Sequence, residues 1–301
     1  SSTIATAASH KGSISSVRFF GGENVMPTSL KNYVLDSLGL VENKKVDYRN
    51  FNISLDEMTS LEVNANKGYQ NYTSEEILEY LDPYQVEFGE DDFYQFAVLN
   101  EGYSGKMTAA DLDKFLNGVL DKYGYTNSTL RNTGQAFIDA AKTYNVNEVY
   151  LLAHAILESA WGTSMLARGV VSNYEGYYNF FGIGAYDKDP NNGGAAMAKI
   201  CGWDTPYAAI MGAAQWISNG VSTADGSFYG CYLNSEWSQN TLYKMRWNVA
   251  QAAANGNVWK QYATARTWAV GIAELMDEIY YSCGLTMADS GLRFEIPRYV
   301  G

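Results

Sequence analysis

The chain has 301 residues with 47% hydrophobic and 18% charged content, enough to bury a sizeable core, and its net charge of −12 excludes a nucleic-acid surface, which needs clustered cations. No apolar run reaches the ~18 residues of a membrane span, and Ser1-Ser2-Thr3-Ile4-Ala5-Thr6 lacks the basic-then-apolar pattern of a signal peptide. Two histidines (His10, His154) exclude a multi-histidine metal centre and three cysteines (Cys201, Cys231, Cys283) are too few for a disulfide framework, so neither metal nor cofactor is expected.

Residues 1 to about 50 read as an arm with one helix, Ser29 to Leu38, closed by Gly39. Thr73-Ser74-Glu75-Glu76 is a capping-box signature for a helix stopped by Pro83, and Thr108 with Asp111 opens a second that ends at Gly124. The acidic cluster Glu87, Glu90, Asp91 and Asp92 reads as a solvated face, with a calcium site as the alternative. The turn-rich stretch Gly124 to Thr129 divides the chain into an N-terminal extension, 1–125, packed on a core domain, 126–301. Gly134 to Tyr144 is a helix, broken at Asn145-Val146-Asn147, and Asn147 caps the next one.

That next helix, Val149 to Gly162, is apolar or small almost throughout, yet carries Glu158 on the same face as Leu151 and Ala155. Burial without a cationic partner raises a carboxyl pKa, so Glu158 can stay protonated near neutral pH and act as a general acid. Exposure on the last turn is the bland alternative. His154 reads as a core residue of the same helix, and no Gly-x-Ser-x-Gly elbow offers a serine nucleophile.

From Gly169 to Asp204 the helical period is lost, and Asp189-Pro190-Asn191-Asn192-Gly193-Gly194 reads as turn chemistry, which predicts short strands and loops in a small hairpin lobe. Helix resumes at Thr205-Pro206 and runs to Gly220. Gln239 to Asn248 reads as a polar loop, and a last long helix spans about Tyr262 to Ser282, with Gly284 as its stop.

Four segments in one order then identify a family: His154-Ala155-Ile156-Leu157-Glu158-Ser159-Ala160-Trp161-Gly162, Tyr178-Asn179-Phe180-Phe181-Gly182-Ile183-Gly184, Gly202-Trp203-Asp204-Thr205-Pro206 and Gln239-Asn240-Thr241-Leu242-Tyr243-Lys244-Met245-Arg246-Trp247-Asn248. They closely resemble the bacterial endo-β-N-acetylglucosaminidases of glycoside hydrolase family 73, the peptidoglycan hydrolases called autolysins, over about residues 130–282. The resemblance implies an α+β, mainly α-helical, lysozyme-like fold with a hairpin lobe over the cleft and an N-terminal helical extension. It implies a secreted, cell wall-associated monomer that cuts peptidoglycan glycan strands at the β-1,4 bond between N-acetylglucosamine and N-acetylmuramic acid.

On this resemblance Glu158 takes the general-acid position and Tyr243 that of the tyrosine orienting the reacting sugar. Asn179, Phe180, Gln239, Asn240 and Trp247 match groove positions. Ser159-Ala160-Trp161 departs from the commoner Thr-Gly-x, and the larger Trp161 either shields the acid or narrows the cleft. A second carboxylate would come from Glu175, Asp187 or Asp189. Alternatively the substrate's own N-acetyl carbonyl attacks, with Tyr243 positioning it. Muramidase or lytic transglycosylase activity on the same acid, and a wall-binding module without catalysis, are the competing readings.

Overall fold

The computed structural model describes residues 45–185 and 189–300; the expected helix at residues 29–38 lies outside them. Strand β1 (Lys45–Ser54) ends in Ser54, whose hydroxyl accepts from the Glu57 amide and opens α1 (Leu55–Ala65). Helices α2 (Ser74–Leu81) and α3 (Ala109–Tyr123) begin at full capping boxes, Thr73 with Glu76 and Thr108 with Asp111. These local bonds satisfy amides that no preceding turn can reach, which is why both starts were legible. Helices α4 (Gly134–Tyr144) and α5 (Glu148–Ser159) follow, with Asn147 capping α5 through the Tyr150 amide.

Three expectations are corrected downstream. Among the described residues from 169 to 204 there is no strand; instead α6 spans Pro190–Ile200, capped by Asp189 with Pro190 in its first turn. Gly194 serves packing rather than a turn: a Cβ there would stand 2.9 Å from Leu166 Cδ1. After α7 (Pro206–Ser218), the hairpin occurs instead as β2 (Val221–Ser222) antiparallel to β3 (Phe228–Tyr229). The supposed polar loop contains α8 (Leu242–Trp247), every residue of which is buried, leading through Asn248 into α9 (Val249–Asn255). The last helix, α10, starts only at Trp268 and ends at Ser282, so Tyr262 lies in the irregular chain before it. Strand β4 (Arg293–Val300) closes the chain by pairing with β1.

Helix α5 holds the centre. Leu151, Leu152, Ala153, Ala155 and Ile156 are all buried, with α10 on one side and α4 on another, and α4 in turn packs on α3 and α7. Each large apolar side chain so enclosed contributes about 1.5–3 kcal/mol, which fixes the helix in place despite the carboxylates at its ends. The short 3-10 turn Asp91–Phe96 and α8 both lie against α10, and α1 rests on α2 and α9.

Two buried polar clusters fasten residues 47–100 to the remainder. Arg246 and Glu62, both fully buried, are 3.4 Å apart, and Gln261 bridges them by accepting from Arg246 at 3.0 Å and donating to Glu62. Arg246 also donates to the carbonyls of Ala265 and Thr264, each at 2.9 Å, and its guanidinium lies 3.9 Å from the Trp247 ring centroid. Burial pushes the Glu62 pKa up while the guanidinium beside it pulls it down. The second cluster joins Tyr243, whose hydroxyl donates to the Leu81 carbonyl and lies 2.6 Å from that of Tyr299.

The acidic face is less settled electrostatically. Burial, and then Glu90, Asp91 and Glu274, push the Asp92 carboxyl up to about 6. A raised folded-state pKa means the native state holds its proton more tightly, so stability falls as pH rises from the unfolded value through about 6 and stays lower above it. Asp92→Asn should therefore raise the Tm near pH 8, by about 2–3 °C after discounting for solvent screening, with the gain shrinking toward pH 4. Calorimetry across that range tests this; a gain that grows toward acid pH would contradict it. Among the described residues no group of three or more His, Cys, Asp or Glu could hold a metal ion, and no helix is long and apolar enough to cross a membrane.

Candidate active site

Helix α5 carries two carboxylates in contrasting settings. Glu148 at its start is buried and accepts from both the amide and the hydroxyl of Ser104, so its oxygens are committed to structure. Glu158 on the last turn is only partly exposed, and one oxygen accepts from the Trp268 indole N–H at 2.7 Å. Its other oxygen faces Gly182, where a Cβ would stand at 2.6 Å; only a glycine, here at φ 64, lets the 179–183 loop come this close. Burial raises the Glu158 pKa above the ordinary carboxylate value, against the indole bond, which favours the charged form. No cation pairs with it among the described residues.

The helix stops sharply behind the carboxyl. Ala160, Trp161 and Gly162 take φ of 49, 61 and 75, three left-handed residues in a row, and the Ser159 hydroxyl accepts from the Gly162 amide at 2.8 Å. Glu158 is thus kept on the final turn, where its side chain leaves the core.

Aromatic rings fix the indole that holds Glu158. His154, one turn back on α5, presents its ring at 5.2 Å to Phe181, 4.8 Å to Tyr262 and 5.2 Å to Trp268, each in edge geometry. Tyr262 stacks on Trp268 at 5.0 Å and donates its hydroxyl to the Phe181 carbonyl at 2.9 Å. Tyr232 continues the row, 5.1 Å from Tyr262. Burial drops the His154 pKa to about 3, and its Nδ1 lies 3.0 Å from the Tyr150 hydroxyl. It is a neutral packing ring rather than a proton carrier.

Most of the residues expected to line the groove are buried. Tyr243 is fully buried, its hydroxyl engaged by Leu81 and Tyr299, so it cannot reach a sugar in this geometry. Phe180 is also fully buried, and Trp247 lies under Arg246. Asn179 is buried and pins its own loop, donating to Ile183 at 2.7 Å and Gly194 at 3.1 Å and accepting from the Phe181 amide. Gln239 donates to the Lys260 carbonyl at 2.8 Å, while the Asn240 carbonyl accepts from Leu99 at 2.9 Å. Trp161 is half-buried, its ring 6.3 Å from Phe115.

Of the carboxylates expected from the lobe, Glu175 is exposed on its loop, Asp189 is occupied capping α6, and Asp187 lies outside the described residues. Trp268, Tyr262 and Gly182 are the site members that sequence reasoning did not single out. Trp268 was legible only as one of a core stripe, and Tyr262 was hidden inside a helix extended too far toward the N-terminus.

Comparison with known proteins identifies the family and the fold. Residues 134–281 match the family described as Glucosaminidase, mannosyl-glycoprotein endo-beta-N-acetylglucosaminidase. The Beta-N-acetylglucosaminidase of Bacillus subtilis (strain 168) is 37% identical over 235 residues, 78% of this chain and 23% of that protein; the chain therefore spans under a quarter of this relative's length. The crystal structure of S. aureus glucosaminidase B superposes with a TM-score of 0.55 at 30% identity, covering 85% of this chain and 94% of that one. S. aureus Autolysin E, solved as a catalytic mutant in complex with the disaccharide NAG-NAM, gives a TM-score of 0.57 at 27% identity, over 83% of this chain and 99% of its own.

Proposed function

This chain belongs to the glucosaminidase family of glycoside hydrolases, and from that premise we propose that it hydrolyses the β-1,4 bond from N-acetylglucosamine to N-acetylmuramic acid in peptidoglycan strands, with Glu158 as general acid. The observation that carries this reading is the Glu158 carboxyl itself. It is desolvated enough to hold a proton, oriented by one indole N–H, closely approached by Gly182 on its other oxygen, and still partly exposed. The NAG-NAM complex of Autolysin E supports the choice of sugar pair.

In this mechanism Glu158 gives its proton to the glycosidic oxygen as the bond from C1 breaks. The N-acetyl carbonyl oxygen of the N-acetylglucosamine unit closes on C1 to form a cyclic cation, and water then opens it while the Glu158 carboxylate takes the water's proton. Tyr262, partly exposed and stacked on the buried Trp268, takes the part first given to Tyr243, offering the face against which the N-acetyl group is oriented. Secretion and action at the cell wall follow from the substrate.

The products test the proposal. Purified peptidoglycan digested by the protein, reduced with borohydride and examined by mass spectrometry, is expected to yield reduced N-acetylglucosamine ends, and proton NMR of the unreduced first product, recorded before mutarotation, is expected to show retained configuration. Reduced N-acetylmuramic acid ends would identify a muramidase, and anhydromuramic ends a lytic transglycosylase; inversion would rule out the neighbouring-group route.

A further inference from the structure

We propose that Trp259 and Lys260 form a binding site for a carboxylate on the peptide stem of the glycan strand, an inference that rests on the function proposed above. The backbone of this pair is held by buried amides. Asn248 donates to the carbonyl of Trp259 at 2.9 Å and to that of Lys260 at 3.3 Å, and Gln239 donates to Lys260 at 2.8 Å. Both amide side chains are buried, and both belong to the Gln239 to Asn248 segment. What that segment presents to solvent, through these bonds, is the next turn of chain.

The turn is also strained. Lys260 has φ 53, a left-handed conformation unfavourable to any residue with a Cβ, and such outliers persist where surrounding bonds over-determine them. The side chains thus displayed have few internal uses. Trp259 is 68% exposed, the most open tryptophan among the large hydrophobic residues left in solvent. Lys260 makes no ion pair among the described residues, although the chain carries twelve more acidic than basic groups.

Position then indicates the ligand. The Lys260 ammonium lies 5.7 Å from the Tyr232 ring centroid; Tyr232 contacts Tyr262, which stacks on Trp268, the donor to Glu158. The Lys260 cation therefore extends the aromatic wall that begins at the acid, and Trp259, its neighbour in the chain, is open to solvent. A glycan strand lying along that wall carries a peptide on every second sugar, and those peptides bear its carboxylates. Trp259 offers an apolar face to the sugar or stem, and Lys260 a mobile point charge to the carboxylate.

The test uses soluble glycan–peptide fragments before and after carbodiimide coupling of their carboxylates to ammonia, with initial rates of reducing-end release at low substrate. The wild-type chain is expected to prefer the carboxylate-bearing form by about three- to fivefold, as for a partly exposed charge pair, and to lose that preference in high salt. Lys260→Met should abolish the preference while Lys260→Arg keeps it, both with wild-type melting curves. A preference that survives Lys260→Met, or none in the wild type, overturns the proposal. Strands stripped of peptide carry a carboxylate only on the lactyl group; if they are cut as well as the native fragments, the peptide assignment is overturned. Failure of the wild type to cut either form would instead refute the glycosidase reading on which this one stands.

Discussion

Glu158→Gln is expected to lower kcat on purified peptidoglycan by about 10²–10⁴-fold, the usual worth of a positioned general acid, while circular dichroism and melting remain those of the wild type. The change removes the transferable proton yet preserves shape, and the amide can still accept from the Trp268 indole. Retention of substantial activity would remove Glu158 from the mechanism. The wild-type pH profile carries a second check. Burial raises the Glu158 pKa, so the alkaline limb of activity should lie above the ordinary carboxylate range. Trp268→Phe deletes a hydrogen bond that favours the charged form; the Glu158 pKa then rises further and the alkaline limb should move to higher pH.

Arg246→Met should destabilise the fold by about 3–5 kcal/mol, because it leaves the Glu62 carboxylate buried without its cation. The expected fall in Tm is roughly 10 °C. Gln261 cannot compensate, since one amide group cannot neutralise a carboxylate it merely donates to. Replacing Glu62 and Arg246 together by methionine should cost clearly less than the sum of the single changes, a coupling that a double-mutant cycle of melting curves measures directly. Additive losses would mean that the pair is not the unit of stability. Activity should fall in Arg246→Met even below its melting point, because Arg246 also anchors the carbonyls of Thr264 and Ala265, just beyond Tyr262.

Where the sequence was legible, the determining interactions were short-range. The capping boxes at Thr73 and Thr108 and the Asn147 cap are closed within three residues, so they announce helices without tertiary knowledge. Glu158 could be read because a carboxyl in an apolar helix is chemically conspicuous. The failures share the opposite cause. Helix α8 looked like a polar loop because Lys244 and Arg246 find their acids, Glu295 and Glu62, 51 and 184 residues away. Helix α6 looked like a turn because Gly194 answers to Leu166, a neighbour in space only. Likewise the Trp268 to Glu158 bond spans 110 residues, and nothing near either residue signals the other. The family resemblance assigned sugar contact to side chains such as Tyr243 and Asn179, which the fold buries.

The Tyr243 clasp has a consequence for how such a unit is exchanged between larger proteins. One phenol is held from the N-terminal side by Leu81 and from the C-terminal side by Tyr299, and Glu62 is held from beyond residue 240 in the same way. A recombination junction inside the span 62–299 would separate a buried charge or a buried hydroxyl from a partner. Transfer into a new host sequence therefore conserves that whole stretch as a cassette, leaving only the flanks free to be spliced.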